Sequence, residues 1–91
     1  MKKHFMVSMV RKGLIGGALT AGQETITYRT GKVQIPSVEM KYSDIQEVTS
    51  GTLGILPTVT IRLTGGEEYK FVVFFGRNGL LDTLRQMGVD C

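Results

Sequence analysis

Residues 58–75 read Thr58-Val59-Thr60-Ile61-Arg62-Leu63-Thr64-Gly65-Gly66-Glu67-Glu68-Tyr69-Lys70-Phe71-Val72-Val73-Phe74-Phe75, and this stretch decides the fold. Val59, Ile61 and Leu63 alternate with Thr58, Thr60, Arg62 and Thr64. Successive side chains of a strand point to opposite faces, so a period of two predicts a strand with one buried and one wet face. Gly65-Gly66 marks a turn. Tyr69, Phe71, Val73 and Phe75 then form the apolar face of a returning strand. Val72 and Phe74 on its other face predict burial on both sides in its later part. A two-residue loop would set Leu63 against Glu68 and Ile61 against Lys70. A three-residue loop, Gly65-Gly66-Glu67, sets Leu63 opposite Tyr69, Ile61 opposite Phe71 and Val59 opposite Val73, and is therefore expected.

Working upstream, Phe5, Val7 and Met9 alternate and predict a first strand. Leu14 to Ala21 predicts a second, with Gly16-Gly17 permitting a bulge or tight bend. Ala21-Gly22-Gln23 reads as a turn, and Thr25 to Thr30 as a strand with Ile26 and Tyr28 inward. After a turn at Thr30-Gly31-Lys32, Val33 and Ile35 share one parity, whereas Val38, Met40 and Tyr42 share the other. The switch falls at Pro36-Ser37, and proline cannot donate to a ladder, so a sheet edge is expected there. Ser43-Asp44 is a corner, Ile45 and Val48 open a short strand, and Thr49 to Pro57 reads as a glycine-containing loop.

Downstream the period changes. Leu80, Leu84 and Met87, with Leu81 beside them, share one stripe, while Arg77, Asp82, Arg85 and Gln86 take the other face. That predicts an amphipathic helix over 78–87, with Asn78 as N-cap and Gly88 as its stop. A helix this short is not stable alone in water, so its leucine stripe must dock on the sheet.

The chain has 91 residues, enough for one domain spanning 1–91 and too few for two. Thr, Val and Ile number 10, 9 and 6, an excess that favours strands. The five methionines include Met6, Met9, Met40 and Met87 at core-like spacings, where gap-filling is the ordinary role. The net charge of +3 comes from eleven Lys and Arg spread along the chain, with adjacent pairs only at Lys2-Lys3 and Arg11-Lys12. That pattern is solubilising charge rather than a nucleic-acid footprint, and it lacks exposed aromatics interleaved with cations. Cys91, the one cysteine, excludes an intrachain disulfide and reads as a free, frayed thiol. His4, the one histidine, lies in the lysine-rich start and has no partner for a metal site. No apolar run approaches the ~18 residues of a membrane-spanning helix. The Met1-Lys2-Lys3 start is expected not to be a cleaved signal, because Arg11 and Lys12 interrupt the apolar segment.

Catalysis needs a nucleophile, a base and an orienting group within reach. His4 cannot complete a Ser–His–Asp or Cys–His set, Glu67-Glu68 reads as a solvated turn, and Gly13, Gly16 and Gly17 fit no phosphate-loop spacing. The chain is therefore read as a non-enzyme without metal or cofactor.

Three segments stand in an informative order. Gly17-Ala18-Leu19-Thr20 precedes Ile26-Thr27-Tyr28. Tyr42-Ser43-Asp44-Ile45-Gln46-Glu47-Val48 then precedes the long hairpin that contains Gly66-Glu67-Glu68-Tyr69-Lys70-Phe71. Over residues 14–88 this resembles the pleckstrin-homology-like superfamily, in particular its GRAM and bacterial PH-type domains. The resemblance implies a mainly β fold: a partly open barrel of two near-orthogonal antiparallel sheets, capped by the C-terminal helix. It also implies binding rather than catalysis, with phosphoinositides, other lipids or protein segments as ligands. Lipid-binding members use basic residues around the loop between the first two barrel strands, read here as Ala21-Gly22-Gln23-Glu24, which carries no Lys or Arg.

The expected function is a cytoplasmic interaction module that binds a protein partner or itself. The alternative is a peripheral module at the inner face of the membrane, holding anionic head groups through Arg11, Lys12, Arg29 and Lys32. Leu53, Ile55 and Leu56 are the partner-interface candidates. Either they plug one mouth of the barrel, or they stand exposed and invite a partner, together with the edge near Pro36.

Overall fold

The structure is a computed structural model that describes residues 3–10, 13–31 and 36–91. Its elements are β1 (Lys3–Val10), β2 (Leu14–Ala21), β3 (Thr25–Arg29), β4 (Val38–Lys41), a single 3-10 turn (Tyr42–Asp44), β5 (Ile45–Leu53), β6 (Leu56–Leu63), β7 (Glu68–Val73) and the helix α1 (Arg77–Gln86). All strand pairs are antiparallel, in the order β4-β3-β2-β1-β7-β6-β5. β1 pairs along its whole length with β2 but only through Val7–Met9 with β7. The two sheets implied by the family resemblance are thus halves of one continuous sheet, joined through β1. The molecule measures 30 × 29 × 28 Å, whereas one flat sheet layer is only about 10 Å thick, so the sheet is strongly curled. β4 and β5 do not pair with each other, which leaves the barrel partly open. The expected class, mainly β with one C-terminal helix on a partly open barrel, is what the chain adopts.

The inward faces alternate as the sequence requires. Leu19, Ile26, Tyr28, Val59, Ile61, Phe71 and Val73 are fully buried, and Leu80 and Leu84 of α1 join the same core. Leu81 and Met87 pack half-buried against it, so the leucine stripe docks as expected. Asn78 is not the N-cap. The helix starts at Arg77 behind Gly76, and no side chain caps it. Gly88 does stop it: its N–H donates to the Arg85 carbonyl at 3.0 Å and that of Val89 to Leu84 at 3.0 Å, the paired closure typical of a left-handed glycine.

Several expectations need correction. The β6–β7 loop is three residues long but is Thr64-Gly65-Gly66, not Gly65-Gly66-Glu67. Ile61 faces Tyr69 and Val59 faces Phe71, two residues away from the expected register. A shift of two keeps every side chain on its face, so parity was satisfied by both. No bulge occurs at Gly16-Gly17, where β1 and β2 pair without interruption. Gly17 instead allows close approach: a Cβ there would lie 2.3 Å from the Arg29 carbonyl and 2.9 Å from the Tyr28 ring. Tyr28 lies over this gap, donates to the Ile15 carbonyl at 2.6 Å and packs on Phe71 with ring centroids 5.3 Å apart. An aromatic over a cross-strand glycine is a known way to fix register. Burial raises the hydroxyl pKa of Tyr28, and hydrogen bonding lowers it by less; burial also raises that of Tyr42.

The segment from Thr49 to Pro57 is not a loop. It continues β5 and opens β6, joined by the two-residue turn Gly54-Ile55. Gly54 has φ 64°, the positive value a tight hairpin demands at its first turn position. Residues near both ends of the described chain make side-chain contacts. His4 lies in β1 with Nδ1 2.9 Å from the Thr20 hydroxyl. The Cys91 thiol sits half-buried, 3.7 Å from the Leu81 carbonyl, and burial raises its pKa. The turn at Lys32 and the strand expected at Val33 and Ile35 lie outside the described residues.

Candidate functional site

β5 and β6 outrun their neighbour. The last β6–β7 pair is Thr58 with Val72, so the hairpin from Leu53 to Pro57 projects past the end of β7. Ile55 at its tip is 95% exposed and Leu53 40%, while Leu56 is half-buried. These residues do not plug the barrel; Leu80 and Leu84 of α1 fill that role.

Beyond Val73 the chain turns toward α1 through Phe74 and Phe75, and Phe75 is 79% exposed. The two phenylalanines were expected to be buried, but the ladder ends one residue before them. Met6, expected in the core, is exposed on β1 immediately before Val7, which pairs with Val73. Arg77 Nη1 donates to the Gly51 carbonyl at 2.8 Å, tying this turn to the hairpin stalk. One end of the barrel therefore presents Ile55, Leu53, Phe74, Phe75 and Met6. From Val48 to Ile61 the sequence carries no charge. Scattered exposed apolar residues are ordinary, whereas a group at one end is the pattern from which a candidate interaction surface is read. Met6 and Phe74-Phe75 were missed in the sequence. For Met6 and Phe74 the signal was parity: Val7 and Val73 point inward, so these two must point out.

The free side of β5 adds to this end. The strand is nine residues long, and Thr49 through Leu53 are all exposed. Its one ion pair, Glu47 with Arg62 at 3.2 Å, lies near the other end, beside the irregularity between Ile45 and Glu47.

Of the four cations proposed for anion contact, only Arg29 lies among the described residues. It stands exposed at the end of β3. Arg11, Lys12 and Lys32 lie outside them. Residues 11–13 connect β1 to β2, and Gly22-Gln23-Glu24 connect β2 to β3.

Surface hollows are shallow and mixed in character. One of about 350 Å³ lies between Val10 and Glu68, and one of about 460 Å³ between Tyr42 and Met87. Among the described residues no three His, Cys, Asp or Glu side chains are grouped to hold a metal ion. No helix in the described residues is long and apolar enough to cross a membrane.

No family model and no curated protein sequence matches the chain. Among solved structures it is similar to the crystal structure of the C-terminal domain of an unknown protein from Leishmania infantum. The TM-score is 0.81 at 12% identity, over 93% of this chain and 80% of that one. This likeness concerns the fold alone.

Proposed function

We propose that this chain is a non-catalytic, PH-like interaction module of the cytoplasm that binds an extended protein segment, from a partner or from its own second copy, along β5 and the Gly54-Ile55 hairpin. The observation that carries the reading is the unguarded edge of β5, exposed and uncharged from Thr49 to Leu53, running into the exposed Ile55. An edge strand offers unpaired N–H and C=O groups to an incoming strand, and neighbouring apolar side chains add affinity. Selection from a displayed library of random peptides tests it. Peptides enriched on the wild type should be lost on Ile55→Ser and on Thr52→Lys, which places a charge on the edge. Enrichment that survives both substitutions contradicts the proposal.

A second reading is favoured by one observation: the connection between β1 and β2 contains Arg11 and Lys12. In the resembled family that loop holds anionic head groups, which would make the chain a peripheral membrane module. Co-sedimentation with anionic vesicles that fades as salt rises supports it, because exposed charges are screened within about 10 Å at 0.1 M salt. Binding to neutral vesicles alone refutes it.

A further inference from the structure

The free side of β5 discriminates among the segments it could hold. Residues 48–61 form the longest uncharged stretch of a chain whose net charge is +3. A charged peptide finds no counter-charge on this edge. Two copies of the chain carry the same net charge, and they approach at least cost where neither brings a charge.

Backbone geometry sets which groups are free. Leu53 and Leu56 close the two-residue turn Gly54-Ile55, so they form a hydrogen-bonded pair. Such pairs alternate with non-hydrogen-bonded ones along an antiparallel ladder. Thr52–Pro57 is therefore non-bonded, in keeping with the missing N–H of proline, and Gly51–Thr58 is bonded again. The N–H and C=O groups of Ser50 and Thr52 thus point to the free side. Thr49 through Leu53 are all exposed, so nothing in the chain covers them. Arg77 donates to the Gly51 carbonyl, which points back toward β6 and not to the free side.

Pairing of this edge with its own copy has few registers. A two-fold axis sets residue i against j and j against i. An axis between two residues would map a bonded pair onto a non-bonded one, so the axis must pass through one residue paired with its own copy. Placed at Ser50, it sets Leu53 against the charge of Glu47. Placed at Thr52, it sets Ser50 against Gly54, whose φ of 64° takes it out of the strand. Placed at Gly51, it sets Ser50 against Thr52 of the second copy and Thr52 against Ser50, which uses the free backbone groups of both. Thr49 then faces Leu53 of the second copy, and no charge enters. Gly51 faces itself in a non-hydrogen-bonded pair, where Cα atoms approach to about 4.5 Å and the lack of a side chain relieves crowding.

We infer, resting on the β5 reading above, that the chain forms a symmetric dimer in which β5 pairs antiparallel with β5 of a second copy about Gly51. So short an edge falls below the ~1,200 Å² of standard interfaces, so the dimer is weak and reversible, with a Kd expected in the high micromolar range.

Sedimentation velocity from micromolar to millimolar concentration should show this dimer. Ser50→Lys with Thr52→Lys sets lysine against lysine across the axis and should weaken it at least about tenfold. Ser50→Lys with Thr52→Glu sets lysine against glutamate in the same register and should restore it. Both positions are exposed, so melting curves should show both variants folded. Gly51→Cys, made with Cys91→Ser, adds a Cβ that meets only the Thr58 hydroxyl, at 3.5 Å. With oxidised glutathione as oxidant it should cross-link two copies, because Cα atoms about 4.5 Å apart lie within disulfide reach. Glu39→Cys on β4, in the same background, should cross-link far more slowly. A wild type that stays monomeric at millimolar concentration overturns the dimer; if peptides selected on it still depend on Ile55 and Thr52, the β5 reading stands without it. Dimers that persist in the double-lysine variant, or a Gly51→Cys variant that cross-links no faster than Glu39→Cys, also overturn it.

Discussion

β4 and β5 are the two outer strands of the same curled sheet, yet they guard their free sides differently. β4 has four residues, carries Glu39 and Lys41 outward, and begins just after Pro36. Short length, charge and a nearby proline are the usual devices that keep an edge from recruiting another chain. β5 has nine residues and shows none of these devices between Val48 and Leu53. Its local irregularity and its charge, Glu47, lie at the far end, away from the hairpin. The same sheet thus guards one edge and leaves the other open, and the proposed binding of an extended segment to β5 rests on that difference.

The largest expected effect tests what holds the open side. Leu84 is fully buried where α1 closes the barrel, so Leu84→Ala should cost about 2–5 kcal/mol in denaturant unfolding. A loss under about 1 kcal/mol would mean that α1 does not support the β5 side. Next come two glycines, one in each half. Gly17→Ala should cost about 1–3 kcal/mol, because the added methyl meets backbone and a ring with nowhere to go. Gly51→Ala on β5 meets only the Thr58 hydroxyl, at 3.5 Å, so its stability should stay within about 0.5 kcal/mol of wild type. Equal costs at both sites would erase the contrast between a tightly packed half and an open one.

Alkaline pH separates the halves in another way. Tyr28 and Tyr42 lie on the β4 side of the barrel, and burial raises both hydroxyl pKa values above the ordinary 10.0. The folded state therefore holds its protons more tightly than the unfolded chain. The contribution of the two tyrosines should be level below pH 10 and fall as pH rises past it, with loss complete once the folded groups ionise. Urea midpoints across this range check the sign, and Tyr28→Phe should flatten the decline. Smallest of all, Ile55→Ser should change stability by less than about 0.5 kcal/mol, because the side chain touches little. A melting temperature lowered by several degrees would show that Ile55 is part of the core.

Much of this was legible from alternation. Val59, Ile61 and Phe71 announced their strands, and the leucines of α1 announced the helix. What alternation could not give was register, because a shift of two residues leaves parity intact, as at Thr64-Gly65-Gly66. It also misplaced β5. Gly51, Gly54 and Pro57 suggest a break, yet Pro57 is the second residue of β6 and lies beyond the last β7 pair, where the ladder makes no demand on its missing N–H. Gly17 was read as a bend because its reason, the ring of Tyr28, comes from another strand. The candidate site was half legible: Leu53 and Ile55 were visible as apolar residues in an uncharged stretch. Phe75 was not, since its exposure depends on where β7 stops.

Amide hydrogen exchange in the presence of a peptide selected on the wild type measures the difference between the two edges most directly. Added protection should appear at Thr49 to Leu53, with Val38 to Lys41 unchanged, and should vanish in Thr52→Lys. Protection gained along β4, or gained nowhere on the sheet while the peptide is bound, would contradict the account.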